Sequence, residues 1–262
     1  MPFSYDDFDL SAIKTYPLNS RTSKVTTRDF ARVPGGGATV AQFVEALPNI
    51  LAASDFKAIV VKMRDAQANG RGIVWGLGAH VIKTGLSPVL IDLMERGFVS
   101  ALALNGAGII HDFEIAVGGA TSEEVDEALG PGRFGMAEET GRLLNAAINE
   151  GVAAGLGLGQ SVAKRVLELN PPNANVSLLA TAARLSIPVT VHVGVGTDII
   201  HMHPDASGAA IGEGSLRDFR YFVSNVARLA GGVYLNCGSA VMLPEVSIVQ
   251  ITSAGSTELF AC

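Results

Sequence analysis

Three short apolar runs, each stopping abruptly in glycine and polar side chains, constrain the fold of this 262-residue chain most strongly. Two span Ile73–Leu77 and Val99–Leu104, and the third starts at Ile187. Segments with helical spacing of apolar residues separate them, and strands that alternate with helices over short loops form parallel crossover units. The pattern predicts an α/β fold with a three-layer, doubly wound, mostly parallel sheet.

Further elements follow from the same periodicity. A last strand is expected at 233–236, and the strand from Ile187 is expected at the centre of the sheet. Thr121 or Ser122 is expected to cap the helix that follows it, and Ser215 a later one. Helices are predicted at 39–68 with a break near Pro48 or Ser54, then at 87–95, 122–129, 138–149, 160–169, 176–185 and 216–229.

Length and composition favour a single domain. With 48% apolar residues and no linker, residues 1–262 are expected to form one α/β domain with a polar N-terminal arm of about residues 1–35. After Pro244 the sequence predicts one strand and a stub where a covering helix is expected, so the C-terminus is expected to be incomplete or atypical.

Charge and hydropathy exclude several classes of partner. The formal net charge is −6 without a concentrated basic stripe, which disfavours duplex nucleic acid. No apolar window approaches the roughly 20 residues of a membrane span, and the N-terminus lacks the features of a signal peptide. We expect a cytoplasmic protein that acts on a small molecule.

A run of small residues, Asn105-Gly106-Ala107-Gly108, follows the second strand. Such residues let a ligand approach the backbone, and the amides that begin the next helix suit a phosphate. A tight turn alone is the alternative, since His111 stands where a full Gly-x-Gly-x-x-Gly motif has its third glycine. A second glycine loop ending at Gly78 favours a dinucleotide cofactor, and we expect Gly78 and Thr84 among its contacts.

All five histidines lie in the three segments formed by these strands and the loops that follow them. His201, His203 and Asp205 have a spacing that allows a shared metal ion, with His192 or His111 as a further ligand. The alternative is that these side chains bind a polar cofactor or substrate, or stabilise their loop.

The sequence allows more than one role for each of two charged residues, Lys83 and Asp198. Lys83 follows the first strand and suits a diphosphate, or acts as a base or imine-forming amine if it is buried. A solvated lysine at a helix start is the alternative. Asp198, after Thr197, is placed to accept hydrogen bonds from ribose hydroxyls, or it is a turn aspartate.

With these residues in view, the chain resembles the deoxyhypusine synthase family, whose domains are Rossmann-like and bind NAD. The matching segments are 72–85, 90–112 and 187–205, with a weaker match through 218–220 and 232–238. The resemblance implies that NAD is held by the small-residue run at 105–108 and by the pair Thr197 and Asp198. It also implies a homo-oligomer, since the family forms tetramers with sites at subunit contacts.

The chain departs from the family at the reacting end. By the resemblance, His111 occupies a position where the family has an acidic residue. His203 occupies the position of an aspartate that holds the substrate amine in the family. The family's closing Trp-Gly-Lys segment, whose lysine carries the imine, has no counterpart after Met242. The resemblance therefore implies the fold and the cofactor rather than deoxyhypusine synthesis, and a substrate less cationic than a polyamine.

These observations lead to one main hypothesis and two alternatives. The first is an NAD-dependent enzyme that oxidises, or transiently oxidises, a C–N or C–O bond. In it, His203 or His201 is the general base, Asp112 orients an imidazole, and His111 and Lys83 complete the site. The alternatives are a metal-dependent hydrolase built on His201, His203 and Asp205, and a nucleotide-binding sensor without catalysis. The sequence leaves open the substrate and the choice between NAD and NADP.

Overall fold

The computed structural model describes residues 7–239 and 242–246. In this part of the chain, four parallel strands form one sheet in the order β3-β2-β1-β4. The α/β prediction is confirmed, and so are the bounds of the first strand. The expectation that the strand after Ile187 is central is wrong, because β3 lies at an edge of this sheet. The strands are β1 (Ile73–Leu77), β2 (Ala101–Asn105), β3 (Val189–His192) and β4 (Val233–Cys237).

Helices follow the strands as the periodicity predicts. The fourth helix has the predicted bounds, and the break before the second falls at Pro48 rather than Ser54. The helices are α1 (Val40–Ala46), α2 (Leu51–Ala68), α3 (His80–Lys83), α4 (Ser87–Glu95), α5 (Gly106–Gly118), α6 (Val125–Leu129), α7 (Glu138–Ala153), α8 (Leu158–Leu169), α9 (Leu178–Leu185) and α10 (Gly208–Ala227).

Two expected helix caps are wrong. Helix α6 begins at Val125, and neither Thr121 nor Ser122 caps it, since Ser122 has a left-handed backbone with φ 74°. Helix α10 begins at Gly208, where the Ser207 side chain accepts a hydrogen bond from the Ala210 amide. Ser215 therefore lies inside α10 rather than at its start.

The sheet is covered on both faces, which makes three layers. Side chains alternate along a strand, so Leu102 and Leu104 face one side while Ala101 and Ala103 face the other. The leucines join a large buried cluster with residues of α5, α7, α8 and α9. The alanines pack with Phe222 of α10. The small alanines allow the long helix α10 to lie close to the sheet.

The chain forms two compact units, with the boundary between Val60 and Val61 inside α2. In the first unit, Thr39 and Gln42 form a capping box that starts α1. The Lys57 ammonium donates hydrogen bonds to the Leu47 carbonyl at 2.7 Å and to the Asn49 side chain at 2.9 Å. These bonds close the turn that Pro48 imposes. Within the described residues, no helix has both the length and the hydropathy to cross a membrane.

A buried aspartate of α5 holds the start of α9. The Asp112 carboxylate accepts hydrogen bonds from the Leu178 amide at 2.7 Å, the Leu179 amide at 3.1 Å and the Ser177 hydroxyl at 2.5 Å. Ser177 in turn accepts a hydrogen bond from the Ala180 amide. First-turn amides have no partner within their own helix, so Asp112 and Ser177 together supply what α9 needs to begin.

A second buried aspartate and a serine, both on α10, cover the free edge of β3. Asp218 Oδ2 accepts hydrogen bonds from the Val191 amide at 2.8 Å and from the Gly159 amide, in the first turn of α8, at 2.9 Å. The Ser215 hydroxyl donates to the Val191 carbonyl and accepts from the Val193 amide, both at 3.3 Å. Side chains of α10 thus satisfy backbone groups that a neighbouring strand would otherwise pair.

Candidate functional site

The carboxyl end of β2 meets the loop that follows β3. Asn105 caps α5, because its side-chain oxygen accepts a hydrogen bond from the Gly108 amide at 3.0 Å. A Cβ atom at Gly106 would lie only 2.0 Å from Asp198 Oδ2, so the Asp198 carboxylate lies directly against the first residue of α5. The structure therefore brings together three residues predicted as cofactor contacts, Asn105, Gly106 and Asp198.

Asp198 is half-buried and has spare capacity to accept hydrogen bonds. The Thr197 hydroxyl lies 3.5 Å from Asp198 Oδ2, which is the outer limit of a hydrogen bond. That hydroxyl makes a much shorter bond of 2.7 Å to the Gly194 carbonyl, so Thr197 mainly stabilises the turn. Burial raises the pKa of Asp198, while His201 and Thr197 act in the opposite direction. A ligand hydroxyl is a suitable additional donor to this carboxyl.

The loop after β1 is explained by packing. The Gly78 amide donates to the Cys237 carbonyl at 2.8 Å, and a Cβ at Gly78 would lie 1.9 Å from the Gly238 carbonyl oxygen. Glycine is therefore required for the close approach of this loop to the end of β4, and its amide is already used. The Gly78 amide is therefore not free for a cofactor, and Gly78 as a cofactor contact stays a prediction.

Thr84 uses its hydroxyl within the chain, and Lys83 meets only some of the roles predicted for it. The Thr84 hydroxyl donates to the His80 carbonyl at 2.8 Å and so closes the short helix α3. The Lys83 side chain is exposed. The sequence predicts that Lys83 acts as a base or imine-forming amine only if it is buried, because burial lowers the pKa of an ammonium group. Since the side chain is exposed, this condition is not met.

His201 and His203 are held by backbone amides. His201 Nδ1 accepts from the amides of Gly196 at 3.1 Å and Asp198 at 3.3 Å. His203 Nδ1 accepts from the Asp205 amide at 3.2 Å, and its ring lies against Gly141, where a Cβ would be 2.2 Å from His203 Cδ2. A neutral imidazole that accepts at Nδ1 carries its proton on Nε2. Neither ring therefore presents a free acceptor nitrogen, which a general base requires.

The metal alternative finds no cluster in the described part of the chain. Within residues 7–239 and 242–246, no group of three or more His, Cys, Asp or Glu side chains is placed to hold a metal ion. His192, considered as a further ligand, is buried with its Nε2 atom 3.1 Å from the Thr190 hydroxyl and its ring edge-on to Phe222. Burial lowers the pKa of His192 to about 4.

Asp112 does not orient an imidazole. Its carboxylate is engaged by the first turn of α9, as described above, and burial raises its pKa to about 6 against the effect of those three hydrogen bonds. Successive residues of an α-helix point about 100° apart, so His111 and Asp112 face different neighbours. The role expected for Asp112 is corrected to a structural one.

His111 belongs to a polar cluster that the sequence did not predict. Its Nδ1 atom lies 2.6 Å from the Thr121 hydroxyl, and that hydroxyl donates to Glu114 Oε2. The Thr140 hydroxyl donates to the other carboxylate oxygen of Glu114 at 3.0 Å. Glu114 lies one helical turn after His111, a spacing visible in the sequence, whereas Thr121 and Thr140 come from other segments.

A cavity of about 560 Å³ lies beside this cluster, lined by Phe113, Glu114, Thr121 and Thr140 among others. A second cavity of about 570 Å³ is lined by Pro188 and Val189 at the amino end of β3. The second cavity is at the opposite end of the strand from Asp198 and does not belong to the predicted site. Of these two cavities, the one lined by Glu114 and Thr121 adjoins the cluster, and His111 is not among its lining residues.

No protein-family model and no curated protein matches this chain. Among solved structures, ArgZ, an arginine dihydrolase from cyanobacteria, is 20% identical over 76% of this chain and 25% of its own, with a TM-score of 0.47. AgrE bound to ornithine and NAD+ is 18% identical over 78% and 26%, with a TM-score of 0.47. A protein assigned as a deoxyhypusine synthase from Entamoeba histolytica is 12% identical over 94% and 79%, with a TM-score of 0.42. The chain spans about a quarter of the length of ArgZ and AgrE.

Proposed function

We propose that this protein is an NAD-dependent enzyme that oxidises, permanently or transiently, a C–N or C–O bond of a small molecule. The observation that supports it most is the contact between the Asp198 carboxylate and Gly106 at the start of α5. In open parallel sheets, ligands bind beyond the carboxyl ends of the strands. There an acidic side chain accepts hydrogen bonds from ribose hydroxyls, and the amides at a helix start donate hydrogen bonds to a phosphate.

The residues present fit such a cofactor. Because Gly106 has no side chain, the Asp198 carboxylate can lie at the start of α5, and the Asn105 side chain engages the Gly108 amide, away from the first residue of the helix. We assign the ribose hydroxyls to Asp198 and the phosphates to the backbone of Gly106 and Ala107. When bound, the nicotinamide supplies the hydride acceptor.

His111 is the histidine best suited as general base. His201 and His203 accept backbone hydrogen bonds at Nδ1, which places their protons on Nε2. His192 is buried beside Phe222. His111 follows the proposed cofactor contacts on the same helix, and burial lowers its pKa, which favours the neutral form that accepts a proton.

Binding of NAD is tested by thermal unfolding and by titration calorimetry. A ligand at 100 times its Kd stabilises a protein by about 2.7 kcal/mol. For a domain of this size we expect a rise in Tm of about 5–10 °C at saturating NAD. In Asp198→Asn the affinity should fall about tenfold or more, because a carboxylate accepts from two ribose hydroxyls and an amide presents donors in its place.

Asp205→Asn is the matched control, since Asp205 is an exposed aspartate of the same loop region. It should bind NAD like the wild type. Absence of a Tm shift at millimolar NAD, or an equal shift in Asp198→Asn, contradicts the proposal.

Catalysis is tested separately from binding. The protein with NAD is offered a panel of small amines and alcohols, and formation of the reduced nicotinamide is followed by its absorbance. We expect turnover of at least one class and its loss in His111→Gln. Bound cofactor without reduction or group transfer across the panel supports the sensor instead.

A further inference from the structure

We infer that Thr121 and Glu114 are positioning residues, which fix the Nδ1–H tautomer of His111 and leave its Nε2 atom as the proton acceptor. The inference deepens the proposed function and rests on it, because His111 is assigned there as the base. It is carried by one juxtaposition, a hydroxyl placed between an imidazole nitrogen and a carboxylate.

The tautomer follows from a count of protons. A threonine hydroxyl has one proton to donate, and an ionised carboxylate accepts hydrogen bonds without donating any. Since the Thr121 hydroxyl donates to Glu114 Oε2, it can act towards His111 only as an acceptor. The 2.6 Å contact between Thr121 Oγ1 and His111 Nδ1 is then a bond in which Nδ1 carries the proton. The lone pair of the neutral ring is on Nε2.

Thr140 supports this direction of the hydrogen bonds from His111 to Thr121 and from Thr121 to Glu114. Its hydroxyl donates to Glu114 Oε1 at 3.0 Å, so each oxygen of the carboxylate receives one threonine hydroxyl. The two hydroxyls come from the loop before α6 and from the first turn of α7, and they hold Glu114 from different segments. Both oxygens of the Glu114 carboxylate therefore accept a threonine hydroxyl, which is the direction that these hydrogen bonds require.

The charges around His111 favour its neutral form. Burial has the largest effect on the pKa of His111 and lowers it. Lys83 and His80, on the neighbouring helix α3, act in the same direction, whereas Glu114 on α5 raises it. A neutral ring with an orienting partner on Nδ1 and a lone pair on Nε2 is the arrangement in which histidine serves as a general base.

In the proposed oxidation the substrate carbon loses a hydride to the bound nicotinamide. The proton of the substrate hydroxyl or ammonium group passes to His111 Nε2 and forms an imidazolium. The imidazolium keeps its Nδ1–H bond to Thr121, and Glu114 stabilises the new positive charge through that hydroxyl. The substrate loses two electrons and two hydrogens, which the nicotinamide (as hydride) and His111 (as proton) receive.

The test is the tautomer itself, measured by nitrogen NMR on protein labelled with ¹⁵N-histidine. We expect wild-type His111 in the Nδ1–H form. Thr121→Val removes the acceptor at Nδ1 and should shift His111 towards the Nε2–H form that a free histidine side chain prefers. Thr190→Val is the matched control, because Thr190 is a buried threonine next to another histidine, His192. It should leave the His111 signals unchanged.

Glu114→Gln provides a second measurement. The loss of the negative charge should lower the pKa of His111 in an NMR titration, and once a substrate is found, the acid limb of the pH profile should move to lower pH. Amide spectra of each variant report whether it is folded. The wild-type spectrum alone is decisive, since His111 in the Nε2–H form overturns the inference. NAD affinity measured on the same samples separates its failure from failure of the proposed function.

Discussion

Two regions of the second unit place an aspartate against the start of a helix, yet they use the carboxylate differently. Asp112 and Asp218, in the helical layers, accept short hydrogen bonds from backbone amides of α9, α8 and β3. Asp198, at the strand ends, lies against Gly106 with one hydroxyl at 3.5 Å. Burial raises the pKa of all three. Asp112 and Asp218 hold backbone amides in the buried layers, although Asp218 Oδ1 is itself buried without a hydrogen-bond partner. What distinguishes Asp198 is its partly exposed position at the strand ends, where a ligand can reach the carboxylate.

The largest expected effect comes from removing a buried carboxylate. Asp112→Ala leaves the amides of Leu178 and Leu179 and the Ser177 hydroxyl without their acceptor, and each buried donor left unpaired costs about 1–3 kcal/mol. We expect a loss of about 3–6 kcal/mol in the free energy of unfolding, measured by urea denaturation. Ser177→Ala, which removes one helix cap, should cost about 1 kcal/mol. Equal losses in the two variants contradict the structural role of Asp112.

The next effect is a pH dependence. Burial raises the pKa of Asp218 from the usual 3.8 of an aspartate to about 7, against the effect of its hydrogen bonds and of Arg217. The folded state therefore binds the proton more tightly, so the Asp218 contribution makes the wild type less stable as pH rises from about 4 to about 7. Relative to Asp218→Asn, the unfolding free energy of the wild type should fall by up to about 4 kcal/mol across this window. Urea denaturation at several pH values measures the difference, and a constant or rising difference contradicts the shift.

The smallest effect tests the contact at the strand ends. A Cβ at Gly106 would lie 2.0 Å from Asp198 Oδ2, so Gly106→Ala must displace the carboxylate. We expect it to cost about 1–2 kcal/mol in unfolding free energy. The same substitution in an Asp198→Ala background should cost close to nothing, which gives a coupling of about 1–2 kcal/mol in a double-mutant cycle. Additive effects show that the two residues are not in contact.

The sequence predicts the elements well where burial repeats regularly. Strand β1 and helix α4 have their predicted bounds, because each is bounded by glycine or by a clear change of period. The order of the strands in the sheet is harder to predict from the sequence, because a central strand and an edge strand can have the same run of apolar residues. The edge position of β3 depends on Asp218 and Ser215, which lie in a helix about 25 residues further along the chain.

Part of the candidate site can be predicted from the sequence, because the predicted strands are parallel. Asn105, Gly106 and Asp198 follow parallel strands, and parallel strands bring their carboxyl ends to one edge of the sheet. The partners of His111 cannot be found this way, because Thr121 and Thr140 reach Glu114 from segments that only the packed structure brings together. Thr121 resembles a helix cap in the sequence, and its hydroxyl is instead used by Glu114 and His111.

The covering of β3 by α10 has a consequence for assembly. The Val191 amide and carbonyl are hydrogen-bonded to Asp218 and Ser215, so these two groups of the edge strand are not available to pair with a strand of another chain. Edge-to-edge aggregation is thereby discouraged along this edge of the sheet that the described residues form.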